Sequence, residues 1–284
     1  MGALFDNANA EHCAAVDGVT ASIFGVFTLY DRDGLPDAAR QLNSSLRLPK
    51  AFGRSNMNDY FLDVEDWPKS LPNAHRELLL NIINRLSSRP DLLGIAIGGS
   101  FISGQMDYYS DLDLVIVVDP KEWHTVEKTR IGIAESIGPL IIAFTGEHIG
   151  LPQMLICLYG TIPLHVDLKF IVPEQFTSRS EDPVILWDRN GTLHTILATS
   201  RASFPTIDWQ WIEDRFWVWI HYMTSRVGRG ELFAAIDFLS FIRERALGPI
   251  ALQISSANPN GVRHIERDAS KYAELMQSTL PRYE

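Results

Sequence analysis

The sequence predicts an α+β protein in which a mixed-sheet domain is followed by a C-terminal helical bundle. Helical and strand-like patterns alternate between residues 71 and 172, which is typical of a sheet packed against helices. Long helical patterns dominate from residue 208 onward. The chain has 284 residues, of which 46% are hydrophobic and 21% charged, as in folded globular proteins.

Three segments are expected on this basis. Residues 1–68 form an N-terminal extension without sustained periodicity, residues 69–182 the sheet domain, and residues 183–284 the helical domain. Because the better-patterned sequence opens at Met57, one hypothesis treats residues 1–56 as an appendage.

The elements of the sheet domain follow from periodicity and chain breakers. Apolar residues recur at helical spacing within residues 71–87, and Arg89-Pro90 ends this helix. A second helix is predicted at 122–136. Strands rich in β-branched residues are predicted at 92–98, 111–118, 140–145, 154–159 and 164–172.

The C-terminal third reads as helices throughout. Asp208 can cap a helix that ends near Gly228. A second helix is predicted from Glu231 to Pro249, with more helix to about residue 255, and a last helix over residues 265–279.

Charge and composition limit the cellular context. Residues 1–17 contain no Lys or Arg, so they lack the basic start of a secretory signal. The uncharged stretch 148–166 contains Pro and Gly and predicts two strands, not a membrane helix. We therefore expect a cytoplasmic protein that does not bind membranes. Cys13 and Cys157 are too few for a disulfide framework or a four-cysteine zinc site.

The net charge of −10 is placed unevenly. Ten basic and ten acidic residues follow residue 200, so all the excess acid lies before it. This balance disfavours nonspecific nucleic-acid binding, which needs many cations against phosphates. It suits a neutral or cationic small acceptor, and a phosphate site in this half would need cations to offset the acid.

The most informative segment is Gly98-Gly99-Ser100, which follows a predicted strand. Glycine allows backbone amides to approach an anion closely, and the serine hydroxyl adds a donor, so phosphate is the natural ligand. Asp111 follows eleven residues after Ser100, and Asp111 and Asp113 alternate with Leu112 and Leu114. On a strand this alternation places both carboxylates on one face and the leucines in the core.

Two neighbouring carboxylates predict a divalent cation. Like charges held close together repel each other unless a cation lies between them, and oxygen ligands select Mg²⁺ or Mn²⁺. In the later strand, Val166 and Leu168 take one face and Asp167 and Lys169 the other, so Asp167 can complete a two-metal site. Lys169 can contact a phosphate or be a surface lysine.

This arrangement resembles the DNA polymerase β-like nucleotidyltransferase superfamily. Its signature is Gly-Ser, a gap of about ten residues, Asp-x-Asp on a strand, and a third carboxylate on a later strand. The matching residues here are Gly99-Ser100, Asp111, Asp113 and Asp167, and the similarity covers residues 71–172. The helical part, with its Arg229-Gly230-Glu231 turn, is similar to the tail of lincosamide and streptomycin/spectinomycin nucleotidyltransferases.

The resemblance implies a nucleotidyltransferase domain that transfers a nucleoside monophosphate, AMP being the first choice, from a nucleoside triphosphate to an acceptor hydroxyl. Gly99 and Ser100 would bind the triphosphate of ATP or another nucleotide, and Asp111 and Asp113 would bind two Mg²⁺ ions. Asp167 would hold the second ion and lie nearest the hydroxyl. The expected acceptor is a small molecule such as an aminoglycoside or lincosamide antibiotic, with the helical domain forming the other wall of its cleft.

Several assignments stay open. The general base is Asp167, Glu147, Glu213 or Asp214. The acceptor is alternatively a protein side chain, as in toxin–antitoxin relatives, or the chain senses nucleotide without turning it over. Two nucleotide motifs, the P-loop and the glycine-rich dinucleotide fingerprint, do not occur in the chain.

Several other side chains that could be functional also have a purely structural explanation. Arg215 and His221 have the spacing of a ribonuclease motif, but six residues turn a helix through about 600°, so they do not share a face. His165 shares the face of Asp167 and is expected to be structural. Stacking on an acceptor or packing of the helices would explain the tryptophans at 209, 211, 217 and 219.

Overall fold

The structure is a computed structural model and describes residues 59–281. The hypothesis on residues 1–56, the start at Met57, Cys13 and most of the expected extension lie outside the described residues.

A seven-stranded mixed sheet forms the centre of the described chain, with strand order β1-β7-β2-β3-β6-β5-β4. Neighbouring strands are antiparallel except β3 and β6, which are parallel. The strands are β1 (Tyr60–Phe61), β2 (Leu92–Ile97), β3 (Leu112–Val118), β4 (Leu140–Gly146), β5 (Leu151–Tyr159), β6 (Leu164–Ile171) and β7 (Val184–Asp188).

Helices precede, interrupt and follow the sheet. Those within or next to it are α1 (Asn73–Ser87), α2 (Ser100–Ser103), α3 (Trp123–Ile137), α4 (Pro173–Phe176) and α5 (Thr192–Thr199). Those that follow are α6 (Trp209–Gly228), α7 (Leu232–Ile242), α8 (Gly248–Ile254), α9 (Ile265–Asp268) and α10 (Ser270–Met276).

The predicted helices and the five predicted strands are confirmed to within a few residues, and the chain is a mixed α+β protein. The prediction of purely helical structure after residue 183 is wrong at its start, because Val184–Asp188 forms β7 between β1 and β2. The sheet therefore extends beyond both expected boundaries, 69 and 182. A five-residue apolar run has no distinctive period, and its pairing partners lie about 90 residues or more earlier in the chain.

Both faces of the sheet are covered by helices. Helices α1 and α3 pack against each other, and the apolar stripe of α1 is buried as its periodicity predicts. A separate cluster joins α4 and α5 to the sheet; it consists of Ala96, Val117, Ile171, Phe176, Ile185 and Leu193. Because side chains alternate along a strand, Asp113 shares the face of Val117.

The helices after the sheet follow their sequence signals. Asp208 caps α6 as predicted, since its Oδ1 accepts a hydrogen bond from the amide of Trp211 at 2.9 Å. A π-helical turn, Arg243–Leu247, joins α7 to α8. Trp219 packs edge-on against Phe241 at a centroid distance of 5.1 Å, which joins α6 to α7.

Across residues 59–281, every helix is either too short or too polar to cross a lipid bilayer.

Candidate functional site

Two predicted carboxylates meet in the only parallel strand pair of the described sheet. Asp113 on β3 lies directly opposite Asp167 on β6. On both strands the flanking residues are buried, Leu112 and Leu114 on β3 and Val166 and Leu168 on β6, as the alternation predicts. Asp113 and Asp167 themselves are half-buried. The register therefore places both carboxylates side by side on one face.

The third carboxylate, Asp111, lies just before β3 at the end of a fixed turn. Within this turn, Asp107 Oδ1 accepts hydrogen bonds from the amide of Tyr109 at 2.9 Å and from the hydroxyl of Ser110 at 3.1 Å. The buried side chain of His75 donates from Nε2 to the Ser110 carbonyl oxygen at 2.8 Å. These contacts fix the backbone next to Asp111.

Charge repulsion marks Asp113 as the centre of an acidic cluster. Burial, which has the largest effect, and the charges of Asp111 and Asp167 together raise its pKa from an ordinary 3.8 to about 6. Glu181 adds to this effect, whereas the positive charge of Arg263 opposes it. Four charged side chains from four parts of the chain thus act on the Asp113 carboxylate.

The glycine turn packs directly against this cluster. Gly99 has φ +60°, and a Cβ there would collide with the carboxylate of Asp113, so only glycine fits. The Gly99 amide donates to Glu181 Oε1 at 2.8 Å. The Ser100 hydroxyl donates to Met106 Sδ at 2.9 Å. The amide and the hydroxyl predicted to bind phosphate therefore both have partners within the protein.

On β6, Asp167 shares its face of the strand with His165 and Lys169, as the alternation predicts. His165 Nε2 lies 2.9 Å from Asp167 Oδ1, and this hydrogen bond raises the pKa of His165 above its ordinary value. Lys169 lies opposite Val115, two residues further along the strand than Asp167. The positive charge that acts on Asp113 comes instead from Arg263 in the C-terminal segment.

Of the other candidates for a general base, Glu147 lies away from the carboxylates along the sheet. Glu147 follows β4, whose last residue Gly146 pairs with Leu151. That residue is five positions along β5 from Ile156, the partner of Asp167, which is about 16 Å at the usual rise per residue. Glu213 and Asp214 are exposed on α6.

The aromatic side chains of α6 pack mainly against one another. Trp211 contacts Trp219 edge-on at 5.4 Å, and Arg215 lies over the Trp211 ring at 4.6 Å. Trp217 is 73% exposed. Of the tryptophans expected to stack on an acceptor or pack the helices, Trp219 thus contributes to packing between α6 and α7.

Sequence reasoning missed Glu181, Arg263 and His75. The net charge of the first part of the chain did predict that a phosphate site there needs cations nearby. No local pattern identifies which cation it is. The C-terminal segment contacts the loop after the glycine turn only in the folded chain, where Arg267 Nη1 donates to Gln105 Oε1 at 2.8 Å.

The donor set suits a metal ion only in part. Among residues 59–281, no group of three or more His, Cys, Asp or Glu side chains is arranged so that it could hold a metal ion. Mg²⁺, however, is usually bound by one or two carboxylates together with phosphate oxygens and water. The facing pair Asp113 and Asp167, with Asp111 nearby, fits a cation shared with a phosphate ligand and does not fit a cation enclosed by protein.

Comparison with models of known protein families gives no match, and comparison with curated proteins gives none either.

Proposed function

We propose that this protein is a Mg²⁺-dependent nucleotidyltransferase that transfers a nucleoside monophosphate, AMP in the first instance, from a nucleoside triphosphate to a hydroxyl of a small molecule. The observation that carries this proposal is the register of β3 and β6, which sets Asp113 opposite Asp167. The raised pKa of Asp113 supports it, because such repulsion is relieved when a divalent cation binds.

Each carboxylate has a role in this proposal. Asp111 and Asp113 would hold two Mg²⁺ ions or, alternatively, Mn²⁺, and Asp167 would hold the second of them. Bound there with the triphosphate, the ions would neutralise the charge that develops on the transferring phosphoryl group. Gly99 and Ser100 would position the triphosphate once their present partners are released.

The same face supplies the groups that handle the acceptor. Asp167 would accept the proton of the attacking hydroxyl, since Glu147 lies at the far end of β4. The hydroxyl oxygen would then bond to the α-phosphorus as the bond to pyrophosphate breaks. Arg263 would offset the negative charge of the polyphosphate, as its effect on Asp113 indicates.

The acceptor class follows from charge. An acidic surface favours a neutral or cationic molecule, such as an aminoglycoside or a lincosamide, over a nucleic acid. The helices from α6 onward would form the second wall of the acceptor cleft. Because nucleoside triphosphates are the co-substrate, we propose that the protein acts in the cytoplasm.

Incubation with labelled ATP, Mg²⁺ and a panel of antibiotics tests the proposal. We expect a labelled drug together with released pyrophosphate, and no turnover by Asp111→Asn or Asp113→Asn. Glu135→Gln removes an exposed carboxylate on α3 and serves as the control with unchanged turnover. Labelled protein would identify a protein-modifying enzyme instead, and ATP binding without pyrophosphate release would identify a nucleotide sensor. Turnover retained in both aspartate variants would contradict the assignment of the metal ligands.

A further inference from the structure

One carboxylate lies where the proposed nucleotide has to bind. Glu181 belongs to the segment between α4 and β7, yet its Oε1 accepts the amide hydrogen of Gly99, 82 residues earlier, at 2.8 Å. The same oxygen would lie 2.8 Å from a Cβ placed on Gly98. The carboxylate therefore lies directly against both glycines of the turn.

The residues around Glu181 fix the segment, and Arg179, two positions earlier, is engaged by other partners. Arg179 donates from Nε to Asp182 Oδ1 and from Nη1 to the hydroxyl of Ser200, both at 2.7 Å. Its side chain is 8% exposed, so this anchor is firm. Because Arg179 is held by Asp182 and Ser200, the Glu181 carboxylate is directed to the backbone of Gly99 and adds negative charge next to Asp113.

We propose that Glu181 holds the Gly99 amide in the nucleotide-free protein in place of a phosphate group, so that a triphosphate must displace it. This inference rests on the proposed function. A backbone amide has one hydrogen to donate, and carboxylate and phosphate are both anionic acceptors, so the two compete for it. Glu181 thereby acts as a specificity residue against metal-free nucleotide.

A divalent cation should help a triphosphate to displace Glu181 from the Gly99 amide. A bare triphosphate approaching Gly99 meets the negative charges of Glu181 and Asp113 as well as an occupied donor. A triphosphate that carries Mg²⁺ has much of its charge neutralised and offers the carboxylates a cation. Molecules in which Glu181 occupies the Gly99 amide cannot bind a phosphate there. The apparent affinity for triphosphate therefore falls in proportion to the fraction of molecules whose amide is open. Removing the carboxylate should therefore favour metal-free phosphate most.

Titration calorimetry with ATP and with inorganic tripolyphosphate, each in Mg²⁺ and in EDTA, tests the inference. The variant is Glu181→Gln, which removes the charge and leaves only a neutral, weaker acceptor for the Gly99 amide. The matched control is Asp182→Asn, which removes an equal charge one residue away and still accepts the hydrogen bond of Arg179. Circular dichroism melting of each protein shows whether the variants fold as the wild type does.

We expect Glu181→Gln to bind both probes about tenfold more tightly in EDTA, with a much smaller gain in Mg²⁺, and Asp182→Asn to match the wild type. Unchanged or weaker binding by Glu181→Gln, an equal gain in Asp182→Asn, or a gain for ATP but not for tripolyphosphate would overturn the inference alone. A folded wild type that binds neither probe, even with Mg²⁺, would overturn the proposed function and this inference with it.

Discussion

Asp113→Asn should stabilise the metal-free protein even though it removes a residue of the proposed site. In the folded chain Asp113 has a pKa of about 6 against an ordinary 3.8, because it is buried beside Asp111 and Asp167. At about 1.4 kcal/mol per pKa unit, keeping this group ionised costs the folded state about 3 kcal/mol. Counterions screen part of the repulsion, so we expect a gain of about 2 kcal/mol in the free energy of unfolding at pH 8.

The gain must depend on pH in a defined direction. Since the pKa of Asp113 is higher in the folded than in the unfolded chain, the folded state binds the proton more tightly. The wild type therefore gains stability from this group below about pH 4 and loses it as the pH rises through about 6. The difference between variant and wild type should vanish near pH 4, grow between pH 4 and 6, and stay constant above pH 7.

Urea unfolding in EDTA at pH 4, 5, 6, 7 and 8, followed by circular dichroism, measures this difference. Glu135→Gln, an exposed carboxylate on α3, is the control and should change stability by less than about 0.5 kcal/mol. Mg²⁺ should stabilise the wild type more than Asp113→Asn, because ligands stabilise the state that binds them. A difference that is independent of pH, or a wild type more stable than the variant at pH 8, would refute the reasoning.

Two further substitutions test the packing around the site. Gly99→Ala should cost about 3 kcal/mol in urea unfolding and abolish turnover, because a strained positive φ is combined with a collision against Asp113. Gly104→Ala, at positive φ in open space, should cost about 1 kcal/mol in the same assay, and a loss no larger for Gly99→Ala than for Gly104→Ala would contradict the collision. Asp188→Ala should lower the free energy of unfolding by about 3 kcal/mol in the same assay, because the buried carboxylate accepts hydrogen bonds from the amides of Leu193 and His194, each at 3.0 Å. A decrease below about 1 kcal/mol would show that these amides find other partners in the variant.

Much of the local structure could be read from the chain. The alternation around Asp113 and Asp167 predicted which side chains face the core, and the burial of Leu112 and Val166 confirms it. The capping signal at Asp208 marked the start of α6. These features succeed because they depend on backbone geometry within one or two turns, where side-chain spacing alone decides which face is apolar.

The short strand β7 shows where this reasoning stops. Val184–Asp188 has no period that separates a strand from a loop, and it becomes a strand only between β1 and β2. The contacts of Glu181 with Gly99 and of Arg267 with Gln105 are likewise invisible locally, since they span 82 and 162 residues. Such contacts depend on which distant segments the core brings together.

Local patterns identified Asp111, Asp113 and Asp167 and showed that Asp113 and Asp167 lie on the polar faces of their strands. The parallel pairing of β3 and β6, with Asp113 opposite Asp167, and the contact of Glu181 with the Gly99 amide became visible only in the folded chain. Side-chain alternation is a local property of a strand. Strand register and loop placement are set by burial of the whole core, to which residues far apart in the chain contribute together.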